Sequence, residues 1–312
     1  MRIVFLDAAT VGDIPLGPIA GYGELVTYPT STPEEALERV TDAEVLIINK
    51  IKVTAQLLDA APKLKLICEA ATGVNNIDLE AASSRGIPVR NVAGYSTESV
   101  VQVTFAHILE LMTQTRRYDT FVKDGSYSAS GIFTEVSQPY TEMAGKTIGI
   151  IGMGTIGHRV AEVARAFGMD VIYFSTSGTG HCSDWPSVSL CELLSRSDII
   201  SIHCPLNAVT SGLIGEKELT IMKRSAVIVN MARGGIVDEA ALARAVSDGI
   251  IAGAALDVFT CEPLPGEHPF LHVRHPERML FTPHVGWASR EAVSRLIEGV
   301  AANIAEFVHV RN

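Results

Sequence analysis

This 312-residue sequence predicts an α/β protein built on two doubly wound parallel sheets, and three observations carry that expectation. Short apolar runs alternate with longer amphipathic ones, the pattern of parallel strands covered by helices. The alternation forms two series, separated by an apolar-rich stretch over 97–123 that contains no glycine or proline. A chain of this length, 47% hydrophobic, suits two domains of moderate size with substantial cores.

In the first series, RIVFL (2–6), VLII (45–48), LKLIC (64–68) and PVRNV (88–92) read as strands, with helices near 34–40, 54–61 and 78–85. The segment 97–123 reads as one buried helix that links or braces domains, because VVQVTFAHILELM is apolar on more than one face. In the second series the strands are TIGII (147–151), VIYF (171–174), DIISI (198–202), AVIVN (226–230), AGAALDVF (252–259) and MLFT (279–282). Helices fall at about 155–167, 189–195, 216–223 and 238–247, and residues 288–309 form a last amphipathic helix. The expected division is residues 1–98 plus 288–312 for one domain and 99–287 for the other.

Composition narrows the function. A formal charge of −10 argues against a nucleic-acid or anionic-membrane surface as the main partner, while leaving room for a local basic pocket. MRIVFLDAATVGD reads as a first buried strand rather than a signal peptide. No stretch approaches the roughly 18 to 20 uninterrupted apolar residues of a membrane helix. Five irregularly spaced cysteines suit reduced thiols in a cytoplasm better than disulfides.

Gly152-Met153-Gly154-Thr155-Ile156-Gly157 lies between strand TIGII and an apolar helix, the setting of a dinucleotide-phosphate loop. Gly152 permits the tight turn, Gly154 lets backbone approach a pyrophosphate, and Gly157 allows close helix–sheet packing. The N–H groups of Thr155 and Ile156 then face the phosphates at the positive end of the helix. The next strand should end in an acid that bonds the adenosine ribose, but VIYF runs into Ser175, and Asp170 stands at the wrong end. Ser175 removes the repulsion of a 2′-phosphate, yet no Arg or Lys occurs between Val171 and Ser195 to hold one. The reading is NAD with relaxed discrimination, open to NADP.

Arg233, Glu262 and His284 each follow a candidate strand of the second series. Open α/β sheets bind ligands at the carboxyl ends of their strands, so folding can bring the three to one edge. A histidine can supply the proton that a reduced carbonyl oxygen needs, a carboxylate can fix its tautomer, and a guanidinium fork suits a substrate carboxylate. Taken singly, each is more readily a strand-end cap, a solvated loop charge or a satisfied imidazole.

The words around these residues resemble a known family. VNMARGGIVDEAAL, AALDVFTCEPLP and TPHVGWAS match in order the signature segments of the D-isomer-specific 2-hydroxyacid dehydrogenases, and ATGVNNIDLEAA and GKTIGIIGMGTIGHRVA match two more. The resemblance covers essentially the whole chain and is nearest to the glycerate dehydrogenase (hydroxypyruvate reductase) branch. It implies a flavodoxin-like substrate domain and a Rossmann cofactor domain, an active-site cleft between them, and a homodimer. It implies that Arg233 binds substrate, Glu262 orients the histidine and His284 is the acid/base. Backbone around Thr72 and Gly73 would grip the substrate carboxylate, and Trp287 would wall the pocket. Lys50 would face substrate, although a solvated loop lysine explains it equally well.

By the same resemblance, Asp257 contacts the nicotinamide amide, and His203, Cys204 and Pro205 line the adenine side. Thr104, Thr210, Met231, Ala232 and Gly286 complete the cofactor contacts, with Ser175 at the ribose. The implied substrate is a small 2-keto acid, hydroxypyruvate or glyoxylate. Two rivals share the fold. A formate dehydrogenase would carry glutamine in place of Glu262, and a redox-sensing corepressor could keep all three residues. Pro269 and Pro276 interrupt His268, His272 and His275, so no metal is expected there.

Overall fold

The computed structural model describes residues 1–178 and 182–309. The last three residues assigned above to the first domain lie outside them. The chain divides into two compact units, Met1–Ser96 with Trp287–Asn312, and Thr97–Gly286.

The first unit runs β1 (Arg2–Phe5), α1 (Gly17–Ala20), β2 (Glu24–Thr27), α2 (Pro33–Arg39), β3 (Val45–Ile48), α3 (Ala55–Asp59), β4 (Leu66–Glu69), α4 (Leu79–Ser84) and β5 (Val89–Arg90). Its sheet has the parallel order β2-β1-β3-β4-β5, one of the two common doubly wound arrangements. β3 and β4 are buried on both faces, which is why VLII and LIC read as apolar runs, with the buried Glu69 closing β4. β2 and α1 were not expected. β2 is a half-exposed edge strand, ELVT, with neither a continuous nor a cleanly alternating apolar pattern to mark it. Residues 88–92 contribute only two residues of ladder.

The second unit opens with α5 (Thr97–Thr113), α6 (Thr115–Lys123) and α7 (Ser126–Ser130), where one continuous helix over 97–123 was expected. The break is at Gln114, whose φ of 54° is left-handed. Buried side chains line α5 but none lies on α6, so the core that holds the first helix straight makes no demand on the second. Glu110 catches the new start by accepting from the Thr115 hydroxyl and the Arg116 side chain, and Thr141 N–H returns to the Met112 carbonyl at 3.1 Å.

There follow β6 (Thr147–Ile151), α8 (Thr155–Ala166), β7 (Asp170–Phe174), α9 (Leu190–Arg196), β8 (Ile199–Ile202), α10 (Glu216–Ile221), β9 (Val227–Asn230), α11 (Glu239–Ser247), β10 (Gly253–Leu256) and β11 (Met279–Phe281). The parallel order is β11-β10-β9-β8-β6-β7. The strand order reverses at β6, as in a dinucleotide-binding sheet, and a lone parallel bridge, Tyr173 to Ser187, adds a vestigial strand outside β7. β10 ends at Leu256, three residues short of the apolar run that predicted it.

α12 (Arg290–His309) belongs to the first unit. Ala292, Val293, Leu296, Ile297, Val300, Ala301 and Ile304 recur at helical spacing and pack with Ile3, Phe5, Ile47 and Leu66 of the first sheet. Leu296 is fully buried. Leu296→Ala should therefore cost about 2–5 kcal/mol in the unfolding transition of this unit, read by chemical denaturation; a loss below about 1 kcal/mol would mean the helix collapses into the space.

Candidate active site

Three adjacent strands lead into the loops that carry the three candidate residues. β9, β10 and β11 are in register at Asn230, Leu256 and Phe281. Arg233 stands three residues past β9, Glu262 six past β10, and His284 three past β11.

Asn230 shapes the first turn. Its side chain accepts from Ala232 N–H at 3.0 Å and donates to the Arg233 carbonyl at 2.9 Å. A Cβ on Gly234 would lie 2.0 Å from the Phe259 carbonyl carbon, so only glycine lets this turn nest against the segment leading to Glu262. The Arg233 guanidinium bonds the Ala232 carbonyl at 2.7 Å and makes no ion pair among the described residues. Most of its five donors thus remain available to an anion.

Glu262 Oε1 accepts the Phe259 N–H at 3.0 Å, which aims Oε2 at His284 Nδ1, 2.7 Å away. Both side chains are partly exposed. Thr260 N–H donates to Glu239, whose other oxygen lies 3.0 Å from His268 Nε2. His268 thus braces the Glu262 loop, while His272 faces Glu267 and His275 faces Glu277.

His284 sits at a φ of 54°, unusual for a residue with a side chain. Asp257, which is buried, holds it there. The Asp257 carbonyl accepts the His284 N–H at 2.7 Å, and its carboxylate accepts from Val285 N–H (2.9 Å), Gly286 N–H (2.8 Å) and the Thr282 hydroxyl (2.5 Å). Thr282 also meets Nε2 of His107, on α5, at 3.2 Å. Burial lowers the pKa of His107. The turn therefore engages both carboxylate oxygens of Asp257. Asp257 was legible as a site residue from its family word; Asn230, His107 and Glu239 were not.

The phosphate loop has the expected build. Gly152 takes a φ of 93°, and a Cβ there would meet the Cys204 backbone at 2.6 Å. On Gly157 it would meet the Gly152 carbonyl at 2.1 Å, whereas Gly154 faces open space. Gly154 caps α8 without a side-chain hydrogen bond, which leaves the first-turn N–H groups of Thr155 and Ile156 facing outward. These features fit a dinucleotide phosphate. Ser175 directly follows β7, its hydroxyl 3.0 Å from that of Ser177.

Other expected cofactor residues are more enclosed. Thr104 and Thr210 are fully buried, with hydroxyls turned to Val100 O and Pro205 O, so in this conformation they offer the site no free hydroxyl. Cys204 packs against Gly152, and Met231 and Ala232 are buried. His203 Nε2 is 2.7 Å from the Ser201 hydroxyl, and burial pushes its pKa down to about 3. Pro205 is exposed. Gly286 is buried, and a Cβ there would lie 2.9 Å from the Asp257 carboxylate.

In the first unit, Lys50 and Thr72 are exposed and Gly73 and Trp287 are half-buried. Thr72 bonds Val92 O through its hydroxyl, and its carbonyl accepts from the Asn91 amide.

Residues 105–286 match the family described as D-isomer specific 2-hydroxyacid dehydrogenase, NAD binding domain. The chain belongs to this family. It is 38% identical to a glycerate dehydrogenase of Methylorubrum extorquens, covering 98% of this chain and 96% of that one. It is 32% identical to a hydroxypyruvate reductase of Blautia hydrogenotrophica, covering 99% and 97%. Among solved structures it superposes on a glyoxylate reductase from Paecilomyes thermophila with a TM-score of 0.83 at 29% identity, covering 99% and 95%. The protein is thus a 2-hydroxyacid dehydrogenase, an oxidoreductase with an NAD-binding domain.

The Asp257 turn makes a direct prediction. Asp257→Ala leaves the buried Gly286 N–H and the Val285 N–H without their acceptor, and the Thr282 hydroxyl with His107 alone. Orphaned buried donors cost about 1–3 kcal/mol each, so chemical denaturation should register a loss of at least ~2 kcal/mol. A loss below about 0.5 kcal/mol would show that the turn is held by other means.

Proposed function

We propose that this enzyme interconverts a small 2-keto acid, hydroxypyruvate or glyoxylate, with its D-2-hydroxy acid, and that Arg233, Glu262 and His284 are its catalytic residues. The observation that carries the reading is the 2.7 Å contact between Glu262 Oε2 and His284 Nδ1. Its support lies in what the contact does to the ring. With Nδ1–H donated to a carboxylate, the ring is held in one orientation and Nε2 is the nitrogen left to exchange a proton.

A nicotinamide cofactor, when bound, would supply the hydride chemistry. His284 Nε2 gives its proton to the carbonyl oxygen in reduction and recovers it from the hydroxyl in oxidation, while Glu262 holds the ring through Nδ1. Arg233 binds the substrate carboxylate or the adjacent carbonyl oxygen through donors unused by the protein. Lys50 and the backbone at Thr72 and Gly73 assist with the carboxylate, and Trp287 walls the pocket. First-turn N–H groups of α8 bind the pyrophosphate, and Ser175 reads the ribose without repelling a 2′-phosphate, so NAD is used and NADP tolerated. The remaining expected cofactor residues, among them His203, Thr210 and Asp257, shape the walls around it.

The assembly we propose is a homodimer. Beyond α5, the second unit exposes Val122, Ile132, Phe133, Val136 and Tyr140, with Phe133 88% exposed. An apolar run so open to water favours burial against a second copy. The five free cysteines suit a cytoplasmic setting, and no helix among the described residues is long and apolar enough to cross a membrane.

The deciding experiment is a steady-state panel of hydroxypyruvate, glyoxylate, pyruvate and bulkier keto acids with NADH and NADPH. His284→Ala should lower turnover on the preferred acid by roughly 10² to 10⁴ with cofactor binding intact; near-normal turnover would remove His284 from the chemistry. For the assembly, Phe133→Asp should shift sedimentation from dimer to monomer, and an unchanged profile would place the interface elsewhere.

A further inference from the structure

Beside the loops that carry Lys50 and Thr72–Gly73 lies a buried polar cluster with no part in the chemistry above. Asp7 and Asn49 lie just past β1 and β3, and Glu69 is the last residue of β4. These strands are neighbours, so the three residues meet at one carboxyl edge. All three are at least 96% buried, and Glu69 completely so.

Asp7 accepts the N–H groups of Asn49 (3.0 Å), Lys50 (2.6 Å) and Ile51 (3.2 Å). The Asn76 amide donates to Glu69 Oε2 and to the Ile51 carbonyl, each at 3.0 Å, and the Asn76 carbonyl accepts the Val53 N–H at 2.8 Å. Asn76 thereby ties the loop that follows β4, which includes Thr72 and Gly73, to the segment that carries Lys50. Glu69 Oε1 and Asn49 Nδ2 have no hydrogen-bond partner among the described residues.

Two buried carboxyl groups this close do not both ionise easily. Burial raises the pKa of Asp7 too, but three backbone N–H donors and the Lys50 charge pull against it, so Asp7 is the easier of the two to ionise. Burial first, then the Asp7 charge, pushes the pKa of Glu69 up to about 8, against the Asn76 hydrogen bond and the Lys50 charge. The charged groups facing Glu69 are Asp7, beyond β1, and Lys50, beyond β3; Asn76 and Asn49 are the neutral ones.

We infer that Glu69 is a positioning residue: acting through Asn76 as a neutral acid, it fixes the Lys50 and Thr72–Gly73 loops in the arrangement that binds the substrate carboxylate. The inference rests on the assignment of those loops to substrate. Losing the proton puts a second carboxylate beside Asp7 in a buried site, and the loops must shift to hydrate it.

The test is the pH dependence of KM and kcat in three enzymes. In the unaltered enzyme, KM for the keto acid should rise as pH passes about 8, while kcat and the KM for cofactor hold. Glu69→Gln keeps the shape and cannot ionise, so it should retain the neutral-pH KM and lose the alkaline rise. Glu69→Ala should raise KM roughly tenfold at every pH, the equivalent of one buried hydrogen bond. An alkaline rise that persists in Glu69→Gln, or an unchanged KM in Glu69→Ala, overturns the inference.

Thermal unfolding supplies a readout without substrate. The folded pKa lies above the ordinary carboxyl value of 4.5, so the stabilisation by Glu69 is full below about 4.5 and is lost as pH rises to about 8. The Tm advantage of Glu69→Gln should therefore widen across that window. A flat difference with normal turnover sinks the Glu69 inference alone. A widening difference with no turnover on any keto acid sinks the substrate reading, and the positioning role with it.

Discussion

The arrangement of the second unit depends on one buried carboxylate being satisfied by main chain. Asp257 leaves β10 where the ladder ends and spends its oxygens on the turn that follows β11. A residue with a side chain resists the left-handed φ that His284 adopts. The hydrogen bonds to Asp257 offset that resistance, and the Asn230 and Gly234 turns do the equivalent for β9. The imidazole and its carboxylate partner are therefore presented by a fixed scaffold, the condition under which a proton can move between set atoms.

Charge follows the same economy of placement. The chain carries a net charge of −10, yet the Arg233 guanidinium has no carboxylate beside it among the described residues, while surface arginines such as Arg2, Arg39 and Arg159 are paired. An unneutralised guanidinium on an acidic protein keeps its donors open to an anion. At Gly154 the helix end is likewise left uncapped. Both places keep donors that the rest of the fold would consume.

Much of this was legible in the sequence, for a physical reason. Buried parallel strands must be apolar on both faces, so β3, β4, β6, β8 and β9 announce themselves, and the residues just past them are confined to one edge. That is why the proximity of Glu262 and His284, 22 residues apart, could be anticipated. What failed to show was whatever depends on tertiary satisfaction rather than pattern. β2 is a half-exposed edge strand. Gln114 breaks a helix with no glycine or proline to signal it, because packing stops there. Glu69 sits in LKLICEAATG as an ordinary strand-end acid, and only the fold reveals that it is sealed from water beside Asp7.

The first unit is discontinuous, and this bears on how a nascent chain acquires structure. Its five strands emerge from the ribosome first, but the helix that covers Ile3, Phe5, Ile47 and Leu66 is encoded beyond residue 286. Until then one face of a parallel sheet lacks most of its cover, with only residues such as Val11 and Ile19 against it, while the second unit is contiguous from 97 to 286. The order of synthesis is thus the reverse of the order of completion. The earliest-made segment waits with apolar sheet exposed, a form prone to association, until α12 docks.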